Sequence, residues 1–474
     1  MNDGERLNAE TAYLFRHALL RDAAYQLQLP GDRARLHAQA FEALERLAGG
    51  RAPAPLPADE PSDFRPHASD TFARELAEHA RHSGRGDLRP VYLACLRRAA
   101  EHAERHFRNA EAIELWGELA SSVEGEAGCG ASRRAGVLAA KTGRTADAEA
   151  HLARSLALAR RGGLRGAEGL ALGNLASVYA ETGRPEAAES AHREALGIHR
   201  ALGDRRHEAN VLGNLANLEH NTGRHVAAEA HHREAIAMHR ELGARRVLGI
   251  ELGNLANLLT DLKRLEEGEA LFEEALGIHH ACSDRYSEGI TRINVAVLYR
   301  QTGRFDLAES SYGRAIAIHE EGGDRRSLGY ALSNLANLHL RRGRYDLAED
   351  LARRALTLTR EVGDPHAESL AHGVLAHVFW STKRFPLAVE SFDQACSRAR
   401  DAGSRHLESL HLADAALCLV AQGCRKEAGA RWQAAAALMR ENGNQEDLKS
   451  YMEELRRACE RAGMPVLEAG QSCS

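Results

Sequence analysis

From about residue 124 to residue 443, apolar residues return three and four positions apart, in runs of roughly 18 residues separated by short polar turns. That spacing predicts amphipathic α-helices. The stretch EANVLGNLANLEHNTG, Glu208 to Gly223, shows a departure from the usual pattern. Leu212, Leu215 and Ala216 give the helix one packing face, while Asn210, Asn214, Asn217 and Asn221 recur at i, i+4, i+7 and i+11 on another. Asparagine is a poor helix residue because its side chain competes for nearby backbone groups, so a stripe of it needs an explanation.

The turns carry a period. Gly143, Gly183, Gly223, Gly303, Gly343 and Gly423 are spaced by 40 or its multiples, with Lys263 and Lys383 in the vacant slots. Half a period away lie Gly163, Gly203, Gly243, Ser283, Gly323, Gly363, Gly403 and Gly443. Several precede an aspartate, as in Gly203-Asp204, Ser283-Asp284, Gly323-Asp324 and Gly363-Asp364. Glycine supplies the left-handed residue that ends one helix, and aspartate caps the next. Each period is therefore two helices, and nothing in the pattern predicts a strand.

Packing slots keep the same register. Ala176, Ala216, Ala256, Ala296, Ala336, Ala376 and Ala416 hold one first-helix position, and Ala188, Ala228, Gly268, Ala308, Ala348, Ala388 and Ala428 hold one in the second helix. Small residues there let paired helices approach closely. Leu175, Leu215, Leu255, Val295, Leu335 and Leu375 fill the space between. With stretches such as LGNLASVYAETGRPEAAESAHREAL and LSNLANLHLRRGRYDLAEDLARRAL, the chain resembles the tetratricopeptide repeat family in its 40-residue, kinesin light chain-like variant. The resemblance implies an all-α fold: a right-handed α-solenoid of helix-turn-helix repeats preceded by an N-terminal helical region. It spans 124–443 as about eight repeats, the first degenerate and the last drifting, and 444–474 is expected to be a capping helix and tail with Leu448, Met452, Leu455 and Cys459 as its apolar stripe.

Residues 1–123 leave the register. Segment 1–50 reads as two helices broken at Pro30-Gly31, 51–70 as a proline-rich linker expected to be extended, and 71–123 as helical pairs leading into the array, with Ala112 and Trp116 in a repeat-like second helix. Phe15, Arg16, His17, Ala18, Leu19, Arg21, Ala24, Tyr25, Leu27, Arg35, Leu36 and His37, followed by Glu75, Leu76, Ala77, His79, Ala80 and Gly84, resemble the junction after the nucleotide-binding module of bacterial STAND-type signalling ATPases. The phosphate-binding GxxxxGK[ST] is not found in the sequence. The resemblance implies the sensor half of such a switch, with a separately encoded STAND ATPase or kinase as partner or with the true start upstream.

Composition narrows the function. A formal net charge of -5 with 27% charged residues does not point to nucleic acid or to an anionic membrane as the partner. No window reaches the ~18 uninterrupted apolar residues of a membrane span. The N-terminal MNDGERLNAE is too polar for a signal peptide, and the eight cysteines lack CxxC spacing, so a reduced, cytoplasmic protein is expected. No nucleophile elbow, kinase signature, HExxH or dinucleotide fingerprint occurs, so neither catalysis nor a cofactor is expected. His199, His239, His279 and His319 recur every 40 residues. Ligands on packed helices roughly 10 Å apart cannot share one ion, so these read as structural or surface histidines and no metal is expected. The arginines from Arg144 to Arg384 and the glutamates from Glu149 to Glu349 predict edge ion pairs, with an acidic partner peptide on that edge as the alternative.

The asparagines then stand out. Asn174, Asn214, Asn254, Asn294 and Asn334 fill one first-helix slot in successive repeats, and Asn217, Asn257 and Asn337 fill a slot three residues on. The family resemblance implies that first helices line the concave groove. A carboxamide offers one acceptor and two donors, so such a ladder can hold a peptide backbone without demanding particular side chains; the alternative is that the amides bond to neighbouring helices or water. Arg300 and Arg341 on the same surface can hold a partner carboxylate. The expected function is a non-catalytic scaffold or adaptor for a protein or peptide ligand in bacterial signalling.

Overall fold

The computed structural model describes residue 25 and residues 28–53, 66–106 and 108–467. The part of the first N-terminal motif before Tyr25, its Leu27 and most of the proline-rich linker lie outside the described residues. The described residues form α-helices, two 3₁₀ turns and their connections, in an α-solenoid of consecutive helix pairs. They divide into two units, Met1–His207 and Glu208–Ser474.

In the first unit, α1 (Pro30–Leu47), α2 (Ala73–His82), α3 (Arg89–Arg105) and α4 (Asn109–Ser122) precede two repeat pairs. These pairs are α5 (Gly125–Lys141) with α6 (Thr145–Gly162), and α7 (Arg165–Glu181) with α8 (Pro185–Leu202). Phe41, Leu76, Leu96, Ala112 and Trp116 lie in one continuous core with the first repeat. The last residues of the expected linker are ordered instead: Ala68–Phe72 is a 3₁₀ turn whose Asp70 accepts from the His67 backbone N–H at 2.7 Å. The other Asp70 oxygen accepts from Arg98 Nε at 2.7 Å, with the two side chains only 5% and 4% exposed. The two N-terminal motifs meet here. His37 Nδ1 lies 2.8 Å from His79 Nδ1, Tyr25 Oη lies 2.7 Å from His37 Nε2, and Gly84 faces Ala34.

The second unit begins within α9 (Arg205–Asn221). It continues through α10 (His225–Glu241), α11 (Arg245–Asp261), α12 (Leu265–Ala281), α13 (Arg285–Gln301), α14 (Phe305–Gly322), α15 (Arg325–Arg341) and α16 (Tyr345–Val362). Next come α17 (Pro365–Ser381), α18 (Phe385–Asp401), α19 (Arg405–Ala421), α20 (Arg425–Glu441) and the terminal α21 (Gln445–Arg461). The alanine slots behave as their spacing requires: Ala216, Ala256, Ala296, Ala336, Ala376 and Ala416 are wholly buried, as are Ala228, Ala308, Ala348, Ala388 and Ala428. Asp284, Asp324 and Asp364 cap the helices that follow them through the backbone N–H of Ser287, Ser327 and Ala367. On α21, Leu448, Leu455 and Cys459 are buried but Met452 is 48% exposed. The packed face is rotated toward Tyr451, whose hydroxyl donates to Asp414 at 3.0 Å.

The turn positions that lack glycine keep the glycine conformation. Lys263, Ser283 and Lys383 have φ of 62°, 53° and 60°. A left-handed L-residue costs about 1–2 kcal/mol, against about 0.4–1 kcal/mol that glycine returns to the unfolded chain. Lys383→Gly and Lys263→Gly should therefore each stabilise the second unit by about 0.5–1 kcal/mol, measured by denaturant unfolding; a loss of stability would contradict the strain argument.

First helices also carry glycines that act as sockets. A Cβ on Gly169, Gly249 or Gly289 would stand 2.7, 2.8 and 2.6 Å from the imidazoles of His199, His279 and His319 respectively. The histidine series is thus buried, and three of its four rings, those of His199, His279 and His319, are seated on the glycine thirty residues earlier, as no surface histidine would be. A second socket joins successive repeats: the Glu251 carboxylate lies over Gly213 and pairs with His232 Nδ1 at 2.5 Å, and His411 lies over Gly373. Burial holds the imidazoles of His192, His372 and His411 down at about 4. Their folded values lie below the unfolded 6.5, so the unfolded chain binds more protons between these limits. Stability should fall as pH drops from about 6.5 to about 4, and melting at pH 7 and pH 4.5 checks this.

Candidate functional site

In the second unit the direct contacts between alternate helices run between first helices: α11 with α13, α13 with α15, α15 with α17, α17 with α19, and α19 with α21. First helices therefore approach one another more closely than second helices do, which puts their free faces on the inner side of that stack. Along those faces Leu215, Leu255, Val295 and Leu335 are buried, whereas Asn214 is exposed and Asn217, Asn254, Asn257, Asn294, Asn334 and Asn337 are half-buried. Asn174 is half-buried on α7 of the first unit. The helices thus sort the two stripes by chemistry, with leucine and alanine turned into the pairs and asparagine turned out.

The asparagine partners are sparse. Asn334 Nδ2 donates to the Tyr330 carbonyl one turn earlier at 3.0 Å. Among the described residues no protein partner is found at hydrogen-bond distance for the carboxamides of Asn214, Asn217, Asn254, Asn257, Asn294 and Asn337. The register does bring the two slots together across repeats, as positions 37 residues apart show near the C-terminal end. There His377 Nε2 lies 3.1 Å from Asp414 Oδ2, and Tyr451 Oη donates to Asp414 Oδ1. The row thus changes at its end from open carboxamides to a carboxylate already held by two neighbours.

Arg300 and Arg341 lie at the ends of α13 and α15, 41 residues apart. At the same separation, His220 Nε2 and Asp261 Oδ2 form an ion pair at 2.9 Å. In the later repeat that slot pair holds two cations. The Arg341 guanidinium is held below the ordinary arginine value, by partial burial first and by Arg300 second. Beside Arg300 the Tyr312 side chain is wholly buried, and burial pushes its hydroxyl up to about 12. Two facing arginines without a carboxylate repel each other, and an anion between them removes that cost.

One feature of this surface escapes sequence reasoning. Four positions before the asparagine slot, Ile250 is 43% exposed, and Ile290, Tyr330, Leu370 and Leu410 are half-buried in the same register. An apolar row therefore runs beside the carboxamide row. Its 40-residue recurrence is in the sequence, but an isoleucine or leucine in a helix ordinarily reads as core.

The arginine edge is a different matter. Arg184 pairs with Glu149, Arg264 with Glu229, Arg304 with Glu269 and Arg344 with Glu309, each 35 residues apart and within 2.6–2.8 Å. Arg184 and Arg304 also stack on Tyr179 and Tyr299 at 4.4 and 4.5 Å. These guanidinium groups bind neighbouring repeats together, as the expected edge ion pairs do. Burial pushes the thiols of Cys95 and Cys418 up to about 11 and that of Cys396 to about 12, so none of them is a nucleophile near neutral pH. Among the described helices none is long and apolar enough to cross a membrane.

A family model described as tetratricopeptide repeat matches residues 126–201, 167–241, 246–321 and 327–401, more than half of the chain. The chain belongs to the tetratricopeptide repeat family. A model for anaphase-promoting complex subunit 5 also matches residues 379–457. No curated protein matches the sequence. Among solved structures, a Rap protein complexed with competence and sporulation factor is 17% identical, with TM-score 0.54 over 74% of this chain and 99% of its own. The apo form of RapI is 14% identical, with TM-score 0.50 over 74% of this chain and 98% of its own. A STAND protein with a tetratricopeptide repeat sensor from Pyrococcus horikoshii is 14% identical, with TM-score 0.45 over 74% of this chain and 56% of its own. These likenesses concern the fold.

Proposed function

We propose that the chain is a non-catalytic, cytoplasmic interaction scaffold of bacterial signalling whose second unit binds an extended peptide or protein segment along the inner faces of its first helices. The observation that carries this reading is the row of carboxamides lacking protein partners at Asn214, Asn217, Asn254, Asn257 and Asn294, flanked by a half-exposed apolar row. Carboxamides at a fixed repeat grip backbone groups, and the apolar row takes the side chains that fall between them. Asn174 holds the equivalent slot in the first unit. Asn334 and Asn337 lead to Arg300 and Arg341, which take a carboxylate of the ligand, either an acidic side chain or a free C-terminus. A peptide selected on the intact chain from a random library should bind more weakly when Arg300 and Arg341 are both replaced by glutamine. Equal binding by that variant would remove the arginines from the site.

A second reading treats the chain as the sensor of a STAND-type switch whose ATPase is encoded elsewhere. It is favoured by the packing of the two motif segments onto one another through His37, His79, Ala34 and Gly84. Under it, a P-loop ATPase or kinase docks on the N-terminal helices and the array senses the peptide. Adding the chain to such a partner should then change its ATP turnover, and the selected peptide should modulate that change. A partner with the same turnover with and without the chain would end this reading.

A further inference from the structure

The histidine near the end of α8, α10, α12 and α14 does more at one turn than at the others. His199, on the last turn of α8, is 1% exposed. Across the turn, Asp204 Oδ2 lies 3.4 Å from His199 Nδ1 and 2.7 Å from His207 Nδ1, and all three donor groups fall within 4.8 Å of one another. The rings of His199 and His207 stack with centroids 5.2 Å apart. The second carboxylate oxygen, Asp204 Oδ1, accepts from the His207 backbone N–H at 3.2 Å, so the helix cap fixes the carboxylate with Oδ2 turned toward both imidazoles.

The same turn in later repeats shows what is particular here. His319 Nδ1 also lies 3.4 Å from Asp324 Oδ2, but the position matching His207 is Ser327, which caps through its N–H. At Asp284 it is Ser287, whose hydroxyl donates to the carboxylate at 3.0 Å. The buried histidine and capping aspartate are therefore repeat architecture, and His207 adds a third ligand at one turn only. Separations of i, i+5 and i+8 across a helix–turn–helix bring together side chains that a repeat-to-repeat argument keeps apart.

We propose that His199, Asp204 and His207 bind one borderline divalent transition ion, of which Zn²⁺ is the type. Zinc bonds of about 2.0–2.1 Å place tetrahedral ligands roughly 3.3 Å apart. The His199–Asp204 spacing already meets this, and half-exposed His207 reaches it by backing away from the carboxylate. Asp204 and His207 keep solvent access, at 32% and 35% exposure, so water completes the coordination. The two-nitrogen, one-oxygen donor set suits zinc, cobalt and nickel over magnesium or calcium. The ion clamps the turn between α8 and the helix that follows it.

The test uses the full chain without an affinity tag, stripped with chelator and titrated with Co²⁺ in the visible range, then back-titrated with Zn²⁺. His207→Ser recreates the turn that the chain already carries at Ser287 and Ser327, so it should fold and melt as the metal-free parent does. His199→Thr recreates the Thr359 position and serves as the second variant. The parent should bind one equivalent with ligand-field bands that Zn²⁺ displaces, and each variant should bind at least about tenfold more weakly. No saturable binding by the parent, or equal binding by parent and both variants, would overturn the proposal.

Discussion

Arg98→Met is expected to destabilise the N-terminal unit by about 3–5 kcal/mol, because it leaves the Asp70 carboxylate buried without a counter-charge. The ion pair is buried on both sides, and the same carboxylate holds the His67 backbone, so Asp70 cannot swing out to solvent without losing that cap. Adding Asp70→Asn keeps an acceptor for the His67 N–H and removes the charge, so the double variant should recover most of the loss. Hydrogen exchange in Ala73–His82 and Arg89–Arg105 reports it locally. A single variant that costs less than about 1 kcal/mol would mean that water reaches Asp70.

Glycine-to-alanine changes should split by sign within one type of repeat. At Gly289 and Gly249 the new methyl meets a buried imidazole at 2.6–2.8 Å, and the ring has no open space to move into. Overpacking of this kind costs about 1–3 kcal/mol. Gly277 and Gly313 lie in mid-helix with nothing within 4 Å of where an added methyl would stand, so alanine there should stabilise by about 0.5–1 kcal/mol. Denaturant midpoints of the four variants check both halves. Destabilisation at all four positions would show that helix propensity is not what governs the open sites.

The contrast between these glycines marks how far the sequence can be read. Periodicity within a helix is local, so the turns at Gly203 and Gly323, the caps at Asp284 and Asp324 and the buried alanine slots all follow from spacing. The sockets at Gly249 and Gly289 depend on where the second helix delivers its histidine, thirty residues later, and no local pattern encodes that. Asp70 reads as linker because five prolines lie in the segment running up to it, while its partner Arg98 is on another helix. The edge arginines and glutamates both follow from the period, and stacking adds that an arginine takes the glutamate 35 residues earlier, in the preceding repeat, with two hydrogen bonds. For the candidate site, the asparagine rows are legible because a polar residue recurring at 40 contradicts a core reading. The adjoining row of Ile250, Ile290, Tyr330, Leu370 and Leu410 is not, since apolar residues in a helix suit the core. His199, Asp204 and His207 escape sequence reasoning for a related reason: they converge around a turn, whereas the 40-residue period points only to ligands one repeat apart.

The central claim is that the carboxamide row of the second unit grips a ligand backbone. It is tested most directly by the affinity of a library-selected peptide for the intact chain and for a variant with Asn214, Asn217, Asn254 and Asn257 all replaced by alanine. Each lost hydrogen bond is worth about 0.5–1.5 kcal/mol, so four should cost about 2 kcal/mol or more, a weakening of at least about thirtyfold. Helicity should hold and melting should not fall, because these side chains have no partner in the fold and alanine is the better helix residue. The same affinity in both proteins, with the variant fully folded, would contradict the account.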